Sequence, residues 1–364
     1  MAKYYHYLLL SCLLLLAGCQ SVEYLAIDYM LPAGVSFPPS LKRVGVVNNM
    51  PEVPENKPIL AKEKKKDDFE IARKVDYYNG NATIATETLA EALADENYFN
   101  EVIICDSALR TGDITPREAM LSQEEVNRLV DNLDVDFLIA LENVQIHTTR
   151  KIKYMRDWGV YYGTVDAKVY PTVSVYLPNR GTPMVTVNSK DSIFWEEAGN
   201  GPFVQSHLIS EEDVIKQASE FAGTIPVKKL LPYWKTASRY LCCGGSVNMR
   251  DAAVYVREKQ WETAIDLWKQ TYATKKGKKK MQAAYNLAVG YEMLDSITTA
   301  VGWALKAQTE ARIVDGIDKK DLTHLTQADL PNYVLTTLYV TELKEREEGL
   351  ARLNMQMQRF NNDF

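Results

Sequence analysis

Apolar residues recur along this chain with two different periods, and the switch between them divides it. Leu41–Asn48 (LKRVGVVN) is a short valine-rich run that predicts a buried strand. Between Thr83 and Phe99 the apolar positions Ala85, Leu89, Ala92 and Leu93 fall on one helical face. Glu101–Asp106 (EVIICD) predicts a second buried strand. Ser122 and Glu125 form a capping box ahead of Val126, Leu129, Val130 and Leu133, and Phe137–Leu141 reads as a third apolar strand. This order of strands and helices predicts helices packed on a central sheet. Strict alternation follows at Val165, Ala167 and Val169, then at Val173, Val175 and Leu177, and again at Val185 and Val187. It predicts a β-meander of short strands with one wet face. Ser210 with Asp213 opens a further helix through Val214, Ala218 and Phe221, ended by Pro226 and Pro232. The expected fold class is therefore α+β: an α/β domain with a mixed sheet over 41–243, followed by an all-α domain over 244–364.

After Gly244-Gly245 the period becomes helical and a repeat emerges. Tyr255, Trp261, Ala264 and Trp268 recur 36 residues on as Tyr291, Ile297, Ala300 and Ala304, and Ala252 recurs as Ala288. In this register the segment resembles the tetratricopeptide repeat (TPR), a helix-turn-helix unit of about 34 residues. The two extra residues fit the basic loop Lys275–Lys280. Small side chains let paired helices approach, and the aromatic ones fill the seam. The stretch Leu330–Gln358 reads as a third helix pair or one long capping helix. The resemblance implies an inner wall built from the first helix of each pair, with Met249, Val256 and Arg257 in the first repeat. In the second it offers Gln282, Tyr285, Asn286, Glu292 and Met293. Asn286 lies near the position where peptide-binding TPRs hold a ligand's backbone, so Arg257, Gln282, Tyr285, Asn286, Glu292 and Met293 form the expected partner groove.

The chain opens on a signal. Lys3 supplies a positive start, Tyr7–Ala17 is an apolar run too short to span a bilayer permanently, and Leu16-Ala17-Gly18-Cys19 resembles the lipobox of bacterial lipoproteins. The resemblance implies removal of residues 1–18, acylation of Cys19 and a lipid-anchored protein. Gln20 in place of an aspartate implies the outer membrane, on its periplasmic or outer side. Pro32, Pro38 and Pro39 make 19–40 a tether, and Lys62–Asp68 a solvated charge run. With acylation, the order of elements from Leu41 resembles the α/β domain of curli-secretion and penicillin-binding-protein-activator lipoproteins.

Composition narrows the function. The net charge is −6 over 364 residues, and removing Lys3 with the signal gives 41 − 48 = −7, which argues against nucleic acid as partner. His147, His207 and His324 lack metal-ligand spacing, and no phosphate loop, GxSxG or HExxH is present. Neither a cofactor nor catalysis is expected. Glu196-Glu197 and Glu211-Glu212 read as ordinary surface acids, Cys105 as a small buried hydrophobe or the disulfide partner of one of Cys242-Cys243, and that vicinal pair as unlike a redox motif. Asp295 is placed to cap the second helix of the repeat. Asp106-Ser107-Ala108, Asp191-Ser192-Ile193 and Asp295-Ser296-Ile297 resemble an O-glycosylation acceptor of some Gram-negative gut bacteria. The expected function is a scaffold that binds envelope proteins. An oligomeric secretion component and an envelope hydrolase are the alternatives. The first of these would need membrane-spanning strands of about 9 to 11 residues, longer than the meander predicts.

Overall fold

The computed structural model describes residues 22–51, 70–105, 107–112, 120–319 and 326–361. The expected signal over 1–18, Cys19, the charge run Lys62–Asp68, Asp106 and His324 lie outside them. The chain divides into two compact units, Pro32–Tyr233 with Asn354–Phe364, and Trp234–Leu353 with the segment that ends at Leu31.

Where a tether was expected, Val22–Leu31 is a strand, β1. Leu25, Ile27, Tyr29 and Leu31 turn inward while Tyr24, Ala26 and Asp28 turn out, the period-two alternation of a half-buried strand. The prolines that suggested a tether begin at Pro32, after this strand has ended.

The sheet unit is built on β2 (Arg43–Asn48), β3 (Glu70–Asn79), β4 (Glu101–Ile104), β5 (Phe137–Met155), β6 (Val160–Tyr176), β7 (Val185–Asn188) and β8 (Asp191–Gly199). β2 lies between β4 and β5 and pairs parallel with both. β3 and β6 pair antiparallel with β5, so the sheet is mixed, as expected. Helix α1 (Ala82–Asp95) and, further on, α4 (Glu211–Thr224) pack on one face, where Leu89, Leu93, Val214 and Ala218 meet Val44, Val46 and Ile139. Helix α2 (Gln123–Leu133) packs on the other, with Val126 and Val130 against Val47, Leu138 and Ala140. The capping box is formed: Ser122 Oγ accepts from the Glu125 N–H, and the Glu125 carboxylate accepts from the Ser122 N–H. Ser210 likewise caps α4.

The meander is corrected in one respect. β5 and β6 are 19 and 17 residues long, not the short strands expected, and the two alternating runs at 165–169 and 173–177 lie on one strand up to Tyr176. Beyond β5, β6 pairs with β8 over Tyr161–Val169 and with β7 over Thr172–Val175. Pro171 falls in the gap between these two partners, where a missing N–H costs no ladder bond on that side. Helix α3 (Gly201–His207) lies against the same strand, its Val204 where a Cβ on Gly163 would collide. The short helix α5 (Val227–Leu230) completes this unit's core through Val227 and Leu230. β3 was missed because its polar sequence, EIARKVDYYN, carries no apolar alternation.

In the helical unit β1 pairs with β9 (Tyr233–Cys242) as a two-stranded sheet. Then come α6 (Val247–Arg257), α7 (Trp261–Thr274), α8 (Lys278–Met293), α9 (Ile297–Val314) and the long α10 (Pro331–Asn361). The 36-residue repeat is present in the backbone itself. Lys259 and Asp295 both take left-handed φ, 60° and 54°, and Gln260 and Ser296 share φ −90° and ψ 68°. The closing bonds repeat too: the Gln260 N–H donates to Tyr255 O at 2.8 Å and the Ser296 N–H to Tyr291 O at 2.9 Å. Asp295 is therefore the left-handed turn residue and not the cap; Ser296 occupies that position and makes no side-chain cap bond.

The expected border at 244 moves at both ends. β1 and β9 join the helical unit because Ile27, Tyr29, Ala237 and Leu241 bury in its core. Residues 354–361 belong to the sheet unit, where Gln356 Nε2 donates to Ala33 O and Val35 O and Arg359 donates to Leu41 O.

In the sheet unit α1 and α4 touch through Gly223, where an added Cβ would stand 2.7 Å from Ala85 O and from Leu89 N. Those atoms are helix backbone and cannot turn aside. Gly223→Ala is expected to lower stability by about 1–3 kcal/mol, read as a fall in the thermal midpoint.

Candidate functional site

The expected partner groove exists as a cluster and is already filled. Asn286, fully buried on α8, uses both the donor and the acceptor of its amide on one residue of β9. Its Nδ2 donates to Cys242 O at 2.8 Å, and the Cys242 N–H donates to its Oδ1 at 2.9 Å. Tyr285 stacks on Tyr240 of β9, ring centroids 3.9 Å apart and planes within 16°. Glu292, whose side chain is wholly buried, accepts two bonds from Arg239 at 2.9 and 3.1 Å and one from Tyr339 Oη at 2.7 Å. Arg346 of α10 stands beside it and bonds Asp295 at 2.6 Å. Arg257 is exposed and pairs with Glu23 of β1. Gln282 and Met293 are half-buried. The structure thus brings five of the six residues against the chain's own β1, β9 and α10; for Met293 it gives only packing against the unit's core.

Electrostatics hold this arrangement. Burial alone would lower the Arg239 pKa, yet its bonds and charge interaction with Glu292 keep the guanidinium above its ordinary value. Burial and then the neighbouring Glu292 raise the Tyr339 hydroxyl well above the usual tyrosine range, so it stays a donor. Removing one member of such a pair strands a buried charge, at a cost of about 3–5 kcal/mol. Cys242 and Cys243 are buried free thiols, and Cys105, expected to be buried, is a free thiol that is only half-buried. Burial and the adjacent Cys243 push the Cys242 thiol up to about 12, which suits a packed hydrophobe more than a nucleophile.

A second constellation lies where the parallel strands end, the place at which open α/β sheets bind ligands. On the α2 side, the Glu142 carboxylate accepts from Tyr176 Oη at 2.7 Å and from Asn49 Nδ2 at 2.5 Å. Arg110 Nε donates to Asn49 Oδ1 at 2.6 Å, and its Nη1 to Glu125 at 3.0 Å. Burial raises the Glu142 pKa, opposed in part by its bonds to Tyr176 and Asn49. On the α1 side a cleft of 270 Å3 is lined by Asn48, Thr83, Thr86, Glu87, Ile104, Cys105 and Ala108. Both oxygens of Glu142 are committed, so the cluster fixes the strand ends, and the cleft beside it has the size of a small polar ligand. Sequence reasoning missed Asn49, Arg110, Glu142 and Tyr176. The available signal was polar residues placed directly after the apolar runs of β2 and β5.

Among the described residues no group of three His, Cys, Asp or Glu side chains is placed to hold a metal ion. His147 sits between Tyr77 and Tyr170, ring centroids 4.4 and 4.7 Å away, and burial followed by Lys168 lowers its pKa. His207 stacks on Phe203 at 3.9 Å. Glu211 bonds Lys74 at 2.5 Å, and Glu196 bonds Tyr162, so neither acidic pair forms a carboxylate dyad.

A mixed sheet with helices on both faces, followed by paired helices at a 36-residue repeat, defines a two-part α+β protein. The chain belongs to the family described as Domain of unknown function (DUF8603), which matches residues 41–241, more than half of the 364. A second, Domain of unknown function (DUF6340), matches residues 250–345. No curated protein and no solved structure matches the chain.

Asn286→Ala leaves the buried Cys242 N–H and carbonyl without partners, at about 1–3 kcal/mol for each group. Chemical denaturation is expected to show the loss; an unchanged midpoint would mean β9 leaves α8 freely. For Glu142 the sign runs the other way from most carboxylates. Its folded pKa lies above the ordinary value of 4.5, so the folded state holds the proton longer and stability falls as pH rises through that window. The stability of the natural chain minus that of Glu142→Gln is expected to decline from pH 4.5 upward; a rise would show a carboxylate that the fold prefers ionised.

Proposed function

We propose that the mature chain is an outer-membrane lipoprotein, acylated at Cys19, that serves as a non-catalytic scaffold for envelope proteins. One observation supports this reading above others: β1 begins at Val22, three residues after the lipobox cysteine, and is buried in the helical unit. Three residues reach at most about 10 Å. An acyl chain on Cys19 therefore holds the β1 end of that unit at the leaflet, not at the far end of a long tether.

The helical unit is TPR-like in its 36-residue repeat, but its peptide-holding asparagine is spent on β9. Partner binding then uses apolar side chains left outside: Leu305 and Ile313 on α9, Leu335 and Leu338 on α10. Gln308 Nε2 donates to Thr337 Oγ1 at 2.8 Å between these two helices. No helix among the described residues is long and apolar enough to cross a membrane.

The oligomeric secretion reading gains one observation, since β5 and β6 exceed the 9 to 11 residues a spanning strand needs. Against it, the apolar row Val165, Ala167 and Val169 is buried in the unit's own core. The mass of the detergent-extracted protein separates the readings: a ring-forming component sediments as a large oligomer.

Metabolic labelling with a palmitate analogue is expected to mark the natural chain and leave Cys19→Ser unlabelled and uncleaved. Pull-down from envelope extract is expected to lose its partners with Leu335→Glu plus Leu338→Glu and to keep them with Arg257→Glu. Label retained on Cys19→Ser sinks the anchor, and the reverse pull-down pattern sinks the scaffold face.

A further inference from the structure

The paired strands β5 and β6 run on well past the parallel core. β2 last touches β5 at Leu141, and β5 continues fourteen residues further to Met155, about 45 Å at 3.3 Å per residue. β3 and β8 flank this arm on either side. One face of the arm is covered: Val165, Ala167 and Val169 join the core, and α3 and α4 pack there. Among the described residues no helix packs on the other face, and Arg73, Tyr77, Gln145, Asp166, Lys168, Phe194 and Glu196 are exposed on it.

Towards the tip this open face is basic. Arg73 and Lys151 are directly opposed across β3 and β5, and Lys153 follows two residues on, on the same side, with Glu70 opposite it in the register, so the three cations face one carboxylate residue of β3. Like charges placed opposite each other cost stability in a sheet. Among the described residues none of the three forms an ion pair, although the chain as a whole carries −6. At the end stands Trp158, 70% exposed, with Tyr154 and Tyr161 packed 5.1 Å apart just behind it. The turn that presents it is ordered. The Trp158 N–H donates to Met155 O at 3.2 Å, the Gly159 N–H donates to the same oxygen at 2.9 Å, and Gly159 takes φ +66°, which a side chain disfavours. Asp157 is the one carboxylate of the turn.

We propose that this tip is a membrane-contact element: Trp158 enters the headgroup layer of a bilayer, and Arg73, Lys151 and Lys153 meet anionic lipid phosphates. Indole rings with one polar edge settle at the bilayer interface, and lysine and arginine behind them add attraction for acidic headgroups. A soluble polyanion would need the charges but would leave Trp158 without an apolar receptor. The proposal does not depend on acylation of Cys19, because the contact is made by the folded sheet.

Flotation of the full mature chain without its lipid, Gln20 to Phe364, tests it on phosphatidylcholine vesicles with and without phosphatidylglycerol. Binding is expected only with phosphatidylglycerol, weakened about tenfold or more by Lys151→Glu plus Lys153→Glu. Trp158→Ala is expected to weaken binding likewise with the thermal midpoint unchanged, since its ring lies outside the core. Equal binding to both vesicle types overturns the headgroup assignment. Full binding by Trp158→Ala, with heparin competing as well for the variant as for the natural chain, overturns the membrane and makes the face a site for soluble polyanions. A negative flotation result leaves the acyl-labelling experiment on Cys19 untouched, so the two readings fail separately.

Discussion

A strand cannot be buried against a helix unless its outward N–H and C=O groups find partners, and in the helical unit Asn286 provides them. A helix offers no free backbone donors along its side, so β9 would bring unpaired polar groups into the core. An amide side chain donates and accepts in one plane from neighbouring atoms, which matches the edge of a single strand residue. Asn286 uses both functions on Cys242, and the surrounding contacts depend on that register. Tyr240 then falls on Tyr285, and Arg239 falls on Glu292 with Tyr339 closing the other side. Ile27 and Tyr29 of β1 bury in the same core beside Leu241.

The same clamp explains how so short a repeat holds together. Stacked helical repeats bury their faces against neighbours, and at least three are usually needed. Here α6 to α9 make only two pairs. The inner face of the second, Tyr285, Asn286 and Glu292, is covered by β9 on one side and α10 on the other. Strand and long helix act as the cap that further repeats would otherwise provide. The buried Glu292 fits this account, because a carboxylate there is tolerated only with Arg239 and Tyr339 both in place.

Much of the architecture was readable where local chemistry and periodicity agreed. The capping box at Ser122, the helix opened by Ser210, the parallel strands and the 36-residue repeat all follow from short-range pattern, and the repeat reaches down to matched φ and ψ at Gln260 and Ser296. What was not readable came from partners distant in sequence. β3 has no apolar alternation because its inward row is Lys74, Asp76 and Tyr78, with Lys74 and Asp76 paired to each other, and only its pairing to β5 makes it a strand. β1 had the alternation, but the prolines just beyond it suggested a tether. The meander was expected to have short strands, whereas β6 runs on through Pro171 because β7 and β8 leave a gap opposite it.

The groove shows most plainly why a site is harder to read than a fold. The positions were legible: the resemblance singled out Asn286 as the residue that holds backbone, and it holds backbone. The occupant was not, because β9 precedes the helix by some forty residues, and nothing in the pattern of α8 distinguishes an external peptide from an internal strand. Burial decides it. An asparagine kept for a visiting ligand must pay for exposure and dehydration each time, whereas one fully enclosed with both partners at 2.8 and 2.9 Å is part of the folded core. A recognition residue can therefore mark where a fold has taken its own ligand inside. In such a chain the surfaces left for others are those its strands and helices do not cover, here the outer sides of α9 and α10 and the bare face of the β5–β6 arm.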